Sequence, residues 1–94
     1  SETFSRQAHE IIAQRAIVFE ALGEMPGVRP YRSDANMILL RVTDAAKAFN
    51  GLKARGVLVK NISKMHPLLA NCLRLTVGTA AENQQLLAAL RASL

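Results

Sequence analysis

Three stretches of the chain carry apolar residues at the spacing of an amphipathic helix. The first covers about residues 3–23, and the second covers 45–55, with an aspartate before it as a cap and a glycine just after it. The third covers about 80–92 and opens with a capping box formed by Thr79 and Glu82. Their predicted buried stripes are Ala8, Ile11, Ile12, Val18, Phe19 and Leu22; Ala45, Ala48, Phe49 and Leu52; and Asn83, Leu86, Leu87, Leu90 and Leu94.

The segments between these helices have the composition of strands. In chain order the predicted strands are 28–31, 36–42, 57–59 ending at Lys60-Asn61, and 71–77, with a loop over 62–70. Residues 36–42 are nearly continuous in apolar side chains, which is typical of a strand covered on both faces, and Pro30 confines the first strand to a sheet edge. The order α-β-β-α-β-β-α predicts an α+β fold, a two-layer small domain whose sheet of three to four strands has the helices packed on one face.

The last predicted strand carries an arginine among apolar residues. Alternation along Asn71–Thr79 places Arg74 on one face and the leucines and valine of this stretch on the other. The forked donors of an arginine fit a carboxylate or a phosphate in a two-point contact. Residue type alone favours a simpler alternative, an edge-strand arginine with its head group in water. Arg74 is therefore a candidate anion ligand with a solvated arginine as the competing interpretation.

Composition and charge limit the class of protein. The chain has 94 residues, half of them apolar, which suits one domain with a small core. The net charge of +5 permits an anionic partner, but the twelve basic residues are spread along the chain, which argues against a nucleic-acid patch. No apolar run approaches the ~20 residues of a membrane span, and the first residues lack the pattern of a signal peptide. The single cysteine, Cys72, is interpreted as a core residue, and the lack of a possible internal disulfide suits the cytoplasm.

Several segments together resemble one enzyme family. They are Arg-Pro-Tyr-Arg-Ser-Asp-Ala-Asn at 29–36, Gly-Val-Leu-Val-Lys-Asn at 56–61, and His-Pro-Leu-Leu-Ala-Asn-Cys-Leu-Arg-Leu-Thr-Val-Gly-Thr at 66–79. With the closing helix after Glu82-Asn83, they resemble the C-terminal part of histidinol-phosphate aminotransferases, pyridoxal-phosphate enzymes of the aspartate-aminotransferase superfamily. The resemblance covers nearly the whole chain in the same element order, and residues 71–79 are its most specific part.

The resemblance implies that residues 1–94 form the small C-terminal domain of a larger aminotransferase. In such enzymes the cofactor lysine, the phosphate cradle and the aspartate that pairs with the pyridine nitrogen belong to the large domain, whose motifs are absent from this sequence. Pyridoxal phosphate is then the cofactor of the complete enzyme, and this chain alone is expected neither to bind it nor to transfer amino groups. Lys64 is interpreted as a loop lysine, because a lysine that forms a Schiff base needs a desolvated pocket.

The resemblance carries two substrate-binding residues onto this sequence. Arg74 matches the arginine that grips the α-carboxylate of the amino donor, which would be glutamate, and this favours substrate binding over the solvated alternative. Lys60 stands where relatives often have an arginine that contacts the phosphate of histidinol phosphate or imidazole-acetol phosphate. A lysine still supplies a charge but loses the two-point fork, so a solvated lysine at the end of a strand stays open as the alternative. No catalytic residue and no metal ligand is predicted.

The partners implied by the resemblance are the large domain, the two substrates and a second copy of the enzyme in a homodimer. Neither a nucleic acid nor a membrane is expected as a partner. Two other classes of function stay open on the residues alone. The first is a free-standing α/β module that binds a small ligand or RNA, although an RNA-binding sheet presents aromatic residues and the predicted strands contain only Tyr31. The second is a domain that serves only dimerisation.

Overall fold

A four-stranded antiparallel sheet and three helices make up the fold. The computed structural model describes residues 2–94, with side chains described from residue 5 onward. The elements are α1 (Glu2–Gly23), β1 (Arg29–Pro30), β2 (Met37–Arg41), α2 (Ala45–Ala54), β3 (Lys60–Asn61), a short 3-10 helix (Pro67–Leu69), β4 (Cys72–Thr76) and α3 (Ala80–Ser93). The strand order is β1-β2-β4-β3, and each neighbouring pair is antiparallel. The prediction of a two-layer α+β domain is therefore confirmed.

The core lies between the helices and one face of the sheet. The two central strands contribute Ile38 and Leu40 from β2 and Leu73 and Leu75 from β4, and none of these side chains is more than 1% exposed. The helices supply most of the remaining members, which are Val18, Leu22, Ala45, Ala48, Leu52, Leu86, Leu87, Ala89 and Leu90. Because successive side chains of a strand point to opposite faces, the alternate residues of β2 and β4 face away from the helices.

Within this chain, residues 36–42 are fully covered on one face only. Ile38 and Leu40 are buried, whereas the three residues of β2 that alternate with them are only half-buried. This period of two is the mark of a sheet with helices on one face. Of the apolar residues in this run, Met37 and Leu39 lie on the face that the helices leave open.

The third strand begins later than its predicted position at 57–59. Gly56 has a left-handed backbone with φ of 78°, and the Val57 N–H donates to the Leu52 carbonyl at the end of α2, at 2.9 Å. This bond ends the helix and uses the N–H group that a strand would offer. Pairing with β4 consequently starts only at β3 (Lys60–Asn61).

The apolar stripe predicted for α1 is buried only in its second half. Val18 and Leu22 are fully buried in the core. Residues 5–13 are exposed throughout, so predicted stripe positions such as Ile12, which is 53% exposed, are not part of the core. The last stripe position of α3, Leu94, is also exposed.

Asn71 links the start of β4 to the start of α2. Its φ is 59°, in the left-handed region, and its side-chain Oδ1 accepts a hydrogen bond from the Ala45 N–H at 3.1 Å. We expect Asn71→Ala to lower the free energy of unfolding by about 2 kcal/mol, because it removes the acceptor and places a Cβ-bearing residue without a local partner in the left-handed region. Asn71→Gly should cost less, since glycine keeps the backbone geometry at little steric cost. Urea denaturation of both variants tests this, and equal losses would show that the backbone conformation is not a source of the effect.

Candidate anion-binding site

The face of the sheet that the helices leave open is basic. The four strands contain four basic residues and no acidic residue. Arg29 lies opposite Arg41 in the pairing of β1 with β2, and Lys60 lies opposite Arg74 in the pairing of β3 with β4. Arg41 in β2 and Arg74 in β4 alternate with the core residues of their strands, so their side chains lie on the open face. Arg29 and Lys60 lie directly opposite them on the neighbouring strands and therefore belong to the same face.

Arg74 and Lys60, the two predicted substrate ligands, are direct cross-strand neighbours. Residues in such positions have Cβ atoms about 4.5–5.5 Å apart on the same face. Arg74 is half-buried and Lys60 is exposed. Like charges directly opposite each other destabilise a sheet when nothing neutralises them. An anion held between the two side chains would relieve this repulsion, so the pair is well suited to a carboxylate or a phosphate.

One row of side chains crosses the open face through Arg74. Leu39 lies opposite Arg74 in the pairing of β2 with β4. The Tyr31 N–H donates to the Leu39 carbonyl at 2.9 Å, which continues the row just beyond β1. With strands about 4.8 Å apart, the row of Tyr31, Leu39, Arg74 and Lys60 spans roughly 14 Å. It offers a ring and an apolar side chain at one end and two cations at the other, which suits a small molecule with an anionic end.

Arg41 is the basic residue of this face that is most tightly bound within the chain. Its Nε donates to the Ala70 carbonyl at 3.0 Å, its Nη1 donates to the Tyr31 hydroxyl at 3.1 Å, and its Nη2 donates to the Leu68 carbonyl. The sequence alone does not single out Arg41, because the two carbonyls that it binds lie 27 and 29 residues further along the chain. Its only signal in the sequence is a charge at the end of a strongly apolar strand.

The end of β4 is fixed by two sets of hydrogen bonds. The predicted capping box is present, with the Thr79 hydroxyl accepting from the Glu82 N–H and Glu82 Oε1 accepting from the Thr79 N–H at 2.9 Å. The buried Asn83 side chain bonds both the N–H and the carbonyl of Gly78, and it also donates to Gln14 of α1 at 3.0 Å. These contacts hold the strand that carries Arg74 against two helices.

The capping box predicts a pH dependence of stability. The hydrogen bond from the Thr79 backbone, helped by the Thr79 hydroxyl, lowers the pKa of Glu82 below its ordinary value of 4.5. A carboxyl group whose pKa is lowered by folding stabilises the fold at pH values above its unfolded pKa, and this contribution is lost as the pH falls through the folded pKa. Glu82→Gln keeps a hydrogen-bond acceptor but does not titrate, so its unfolding free energy should lose this part of the pH dependence. The free energies of unfolding of the wild type and of Glu82→Gln are measured between pH 3 and pH 6 (roughly the range spanning the shift). If the two change in parallel with pH, this prediction is contradicted.

Cys72 is free and fully buried, as its interpretation as a core residue predicts, but it lies on the same face of β4 as Arg74 and outside the core between the sheet and the helices. Lys64 is exposed in the loop between β3 and β4. In the described part of the chain, no cluster of His, Cys, Asp and Glu side chains is arranged to hold a metal ion. Nor does any described helix combine the length and apolar character needed to cross a membrane.

Comparison with known proteins identifies the class of protein to which this fold and this basic face belong. Residues 1–90 match the family of class I and II aminotransferases, and the chain belongs to that family. More particularly, it is 69% identical over 93 residues to a histidinol-phosphate aminotransferase of Polaromonas naphthalenivorans (strain CJ2). That match covers 99% of this chain and 26% of the relative, so the chain spans about a quarter of the length of such relatives. The resemblance seen in the sequence is thereby confirmed.

Solved structures share the fold. The histidinol-phosphate aminotransferase of Clostridium acetobutylicum matches 87% of this chain with a TM-score of 0.80 at 20% identity, and the match covers 25% of that structure. The L-threonine-O-3-phosphate decarboxylase of Porphyromonas gingivalis matches 89% of the chain with a TM-score of 0.80 at 24% identity, over 27% of its own length. An aminotransferase and a decarboxylase thus contain this fold, so the fold alone does not determine the reaction.

Proposed function

We propose that this chain is the small domain of a pyridoxal-phosphate-dependent histidinol-phosphate aminotransferase of histidine biosynthesis, which transfers an amino group between glutamate and imidazole-acetol phosphate. Its task in that enzyme is to bind the anionic end of each substrate. The observation that carries the proposal is the cross-strand pair of Arg74 and Lys60 on an open face without acidic strand residues. The 69% identity to a histidinol-phosphate aminotransferase supports the choice of substrates.

The two substrates present their charge in similar places. Glutamate carries a carboxylate on the carbon that bears the amino group, and histidinol phosphate carries its phosphate one methylene away from the corresponding carbon. Arg74 would grip the carboxylate in a two-point contact, and Lys60 would add a point charge for the phosphate. Holding the anion in this way orients the bond to be broken, which is a large part of catalytic power. Leu39 and Tyr31 would lie beneath the rest of the substrate.

The residues of this chain do not by themselves form the cofactor site. All four lysines, Lys47, Lys53, Lys60 and Lys64, are exposed. A lysine that forms a Schiff base is activated by desolvation in a pocket or by a neighbouring cation, and Lys60, the only one with a cationic cross-strand partner, is exposed at an open sheet face. We therefore assign the cofactor lysine to the large domain, and with it the electron sink that pyridoxal phosphate supplies.

Two such enzymes would form a homodimer in the cytoplasm, in keeping with the unpaired Cys72.

The isolated chain is expected to be inactive. Mixed with pyridoxal phosphate, it should give no lysine-bound absorbance band that disappears on borohydride reduction, because its lysines lack a pocket. The complete enzyme should convert histidinol phosphate with 2-oxoglutarate as amino acceptor, and the formation of glutamate measures this reaction. A stoichiometric reduced adduct on the isolated chain would contradict the first expectation.

The substrate assignment is tested separately in the complete enzyme. Amino acids without a phosphate, such as histidine, should react far more poorly than histidinol phosphate if Lys60 binds the phosphate. Release of carbon dioxide from phosphothreonine, without formation of glutamate from 2-oxoglutarate, would instead place the enzyme with the decarboxylases that share its fold.

The alternative of a free-standing module that binds a small ligand or RNA has less support, because the open face has one aromatic ring, Tyr31, whose hydroxyl is already bound by Arg41.

A further inference from the structure

We infer that Arg41 is a positioning residue that holds the β3–β4 loop and the Tyr31 side chain in place, so that Lys60 and Arg74 present their charges to the same anion. This inference deepens the proposed function and rests on it for its effect on substrate binding. Its structural part, the fixing of the loop, stands on the hydrogen bonds of Arg41 alone.

The first support is the geometry of the Arg41 guanidinium. Each of its three nitrogens donates a hydrogen bond, and two of the acceptors are main-chain carbonyls of the loop, those of Leu68 and Ala70. The third acceptor is the Tyr31 hydroxyl at 3.1 Å. The planar guanidinium therefore joins the edge segment next to β1 to the part of the loop that leads into β4. A lysine could not make these three contacts together, because its donors radiate from one nitrogen.

The second support is the position of the loop. Residues 62–70 join β3 to β4 and so connect the strand of Lys60 with the strand of Arg74. The first part of the loop is tied to the sheet by Ser63, whose hydroxyl donates to the Asn61 side chain at 2.6 Å and lies 3.2 Å from the Cys72 carbonyl. The second part is largely exposed, and Leu68 is 76% exposed. Since little apolar surface is buried there, the guanidinium is the main side-chain contact that holds this part against the sheet.

The third support concerns Tyr31. Its ring lies between two arginines, with the guanidinium carbon of Arg29 at 5.5 Å and that of Arg41 at 5.8 Å from the ring centroid. Only Arg41 also binds its hydroxyl. Tyr31 stands in the same row as Arg74, about two strand spacings away, or roughly 10 Å. Arg41 thereby fixes one side chain of the surface on which the substrate would lie.

The chain offers a matched control. Arg29 has the same charge on the same face and also lies over Tyr31, but it is exposed and is not hydrogen-bonded to the loop. Arg29→Met and Arg41→Met therefore remove the same charge from the same surface. Only the second removes the contacts to Leu68 and Ala70. Arg41→Lys keeps the charge and loses the fork, and Tyr31→Phe removes only the hydroxyl.

The experiment combines hydrogen exchange with steady-state kinetics in the complete enzyme. In Arg41→Met and Arg41→Lys, amides of residues 64–70 should exchange faster than in the wild type, while those of Arg29→Met should not. The KM for histidinol phosphate should rise about tenfold in both Arg41 variants, within the range expected when a binding group is displaced by about 1 Å. The kcat should change less than threefold, and Arg29→Met should change KM less than threefold (roughly the scale of a screened surface charge). Tyr31→Phe should show a smaller rise in KM with normal exchange of the loop.

Three results would overturn the inference. Unchanged exchange of residues 64–70 in Arg41→Met would show that the guanidinium does not hold the loop. Equal increases in KM for Arg29→Met and Arg41→Met, or full rescue by Arg41→Lys, would show that only the charge matters. If Arg41→Met does not fold, the inference is tested with Arg41→Lys and Tyr31→Phe, because these variants retain most of the side-chain volume. If the wild-type enzyme does not convert histidinol phosphate, the proposed function fails, and the exchange data still decide whether Arg41 fixes the loop.

Discussion

In the complete enzyme, Arg74→Ala is expected to weaken binding of the amino donor by about 1.5–3 kcal/mol, which is the usual contribution of a hydrogen bond to a charged group. This corresponds to roughly 10- to 150-fold in affinity. The physical reason is the loss of the proposed two-point contact to the donor carboxylate, which the single ammonium group of Lys60 on the neighbouring strand cannot replace. The loss should appear in the half-reaction with glutamate, measured in single turnovers. Binding of pyridoxal phosphate should not change, because we assign its anchors to the large domain.

Arg74→Lys serves as the matched variant. It restores the charge but not the fork, so it should recover only part of the lost affinity. Folding should be nearly intact in both variants, because Arg74 is half-buried on the open face and is not part of the apolar core. If Arg74→Ala reacts with glutamate as fast as the wild type, the arginine is a solvated strand residue and binds no substrate. If Arg74→Ala does not fold, the side chain is structural.

The second large effect is expected one residue away. Leu73→Ala should lower the free energy of unfolding of the chain by about 2–5 kcal/mol, because it removes a fully packed core side chain and leaves a cavity. Leu73 is 1% exposed and lies opposite Leu40, its partner in β2. For a small domain with a total stability of roughly 5–15 kcal/mol, such a loss approaches the limit of folding. Urea denaturation followed by far-ultraviolet circular dichroism measures it.

Leu58 provides the control for this experiment. It is the same residue type but is 78% exposed, just before β3. Leu58→Ala should change the unfolding free energy by no more than about 0.5 kcal/mol. Similar losses for the two leucines would mean that β4 is not packed against the helices as described. Together, Arg74→Ala and Leu73→Ala should separate substrate binding from stability, because neighbouring strand residues point to opposite faces.

The sequence determined the local elements of this protein. The helices at α2 and α3 and their caps followed from signals that lie within a few residues, namely Asp44, Thr79, Glu82 and the glycine after α2. The alternation around Arg74 likewise predicted which side of β4 is apolar. Capping and alternation depend on neighbouring residues only, so a single sequence is enough to read them.

The limits of the sequence appeared where burial depends on other elements. The apolar run at 36–42 is typical of a strand covered on both faces, whereas within the described residues the helices bury one face and the other face is half-buried. The first half of α1 has the apolar pattern of a packed helix and is exposed. In both places hydrophobicity records that a residue can be buried, and the arrangement of the other elements decides whether it is. Residues 57–59 were predicted as a strand but do not pair with β4, because the N–H of Val57 is hydrogen-bonded to the end of α2.

The candidate site was decided by the tertiary structure. Arg74 and Lys60 were each predicted from resemblance, but no local pattern states that they lie directly opposite each other. That pairing depends on the register of β3 against β4, which the ten residues between Asn61 and Cys72 leave free in the sequence. Nor does the sequence bring Arg41 to the Leu68 and Ala70 carbonyls. Strand register and long-range hydrogen bonds arise from the packing of the whole sheet against its helices. The charge of each residue can therefore be read from the sequence, whereas their arrangement into a candidate anion site cannot.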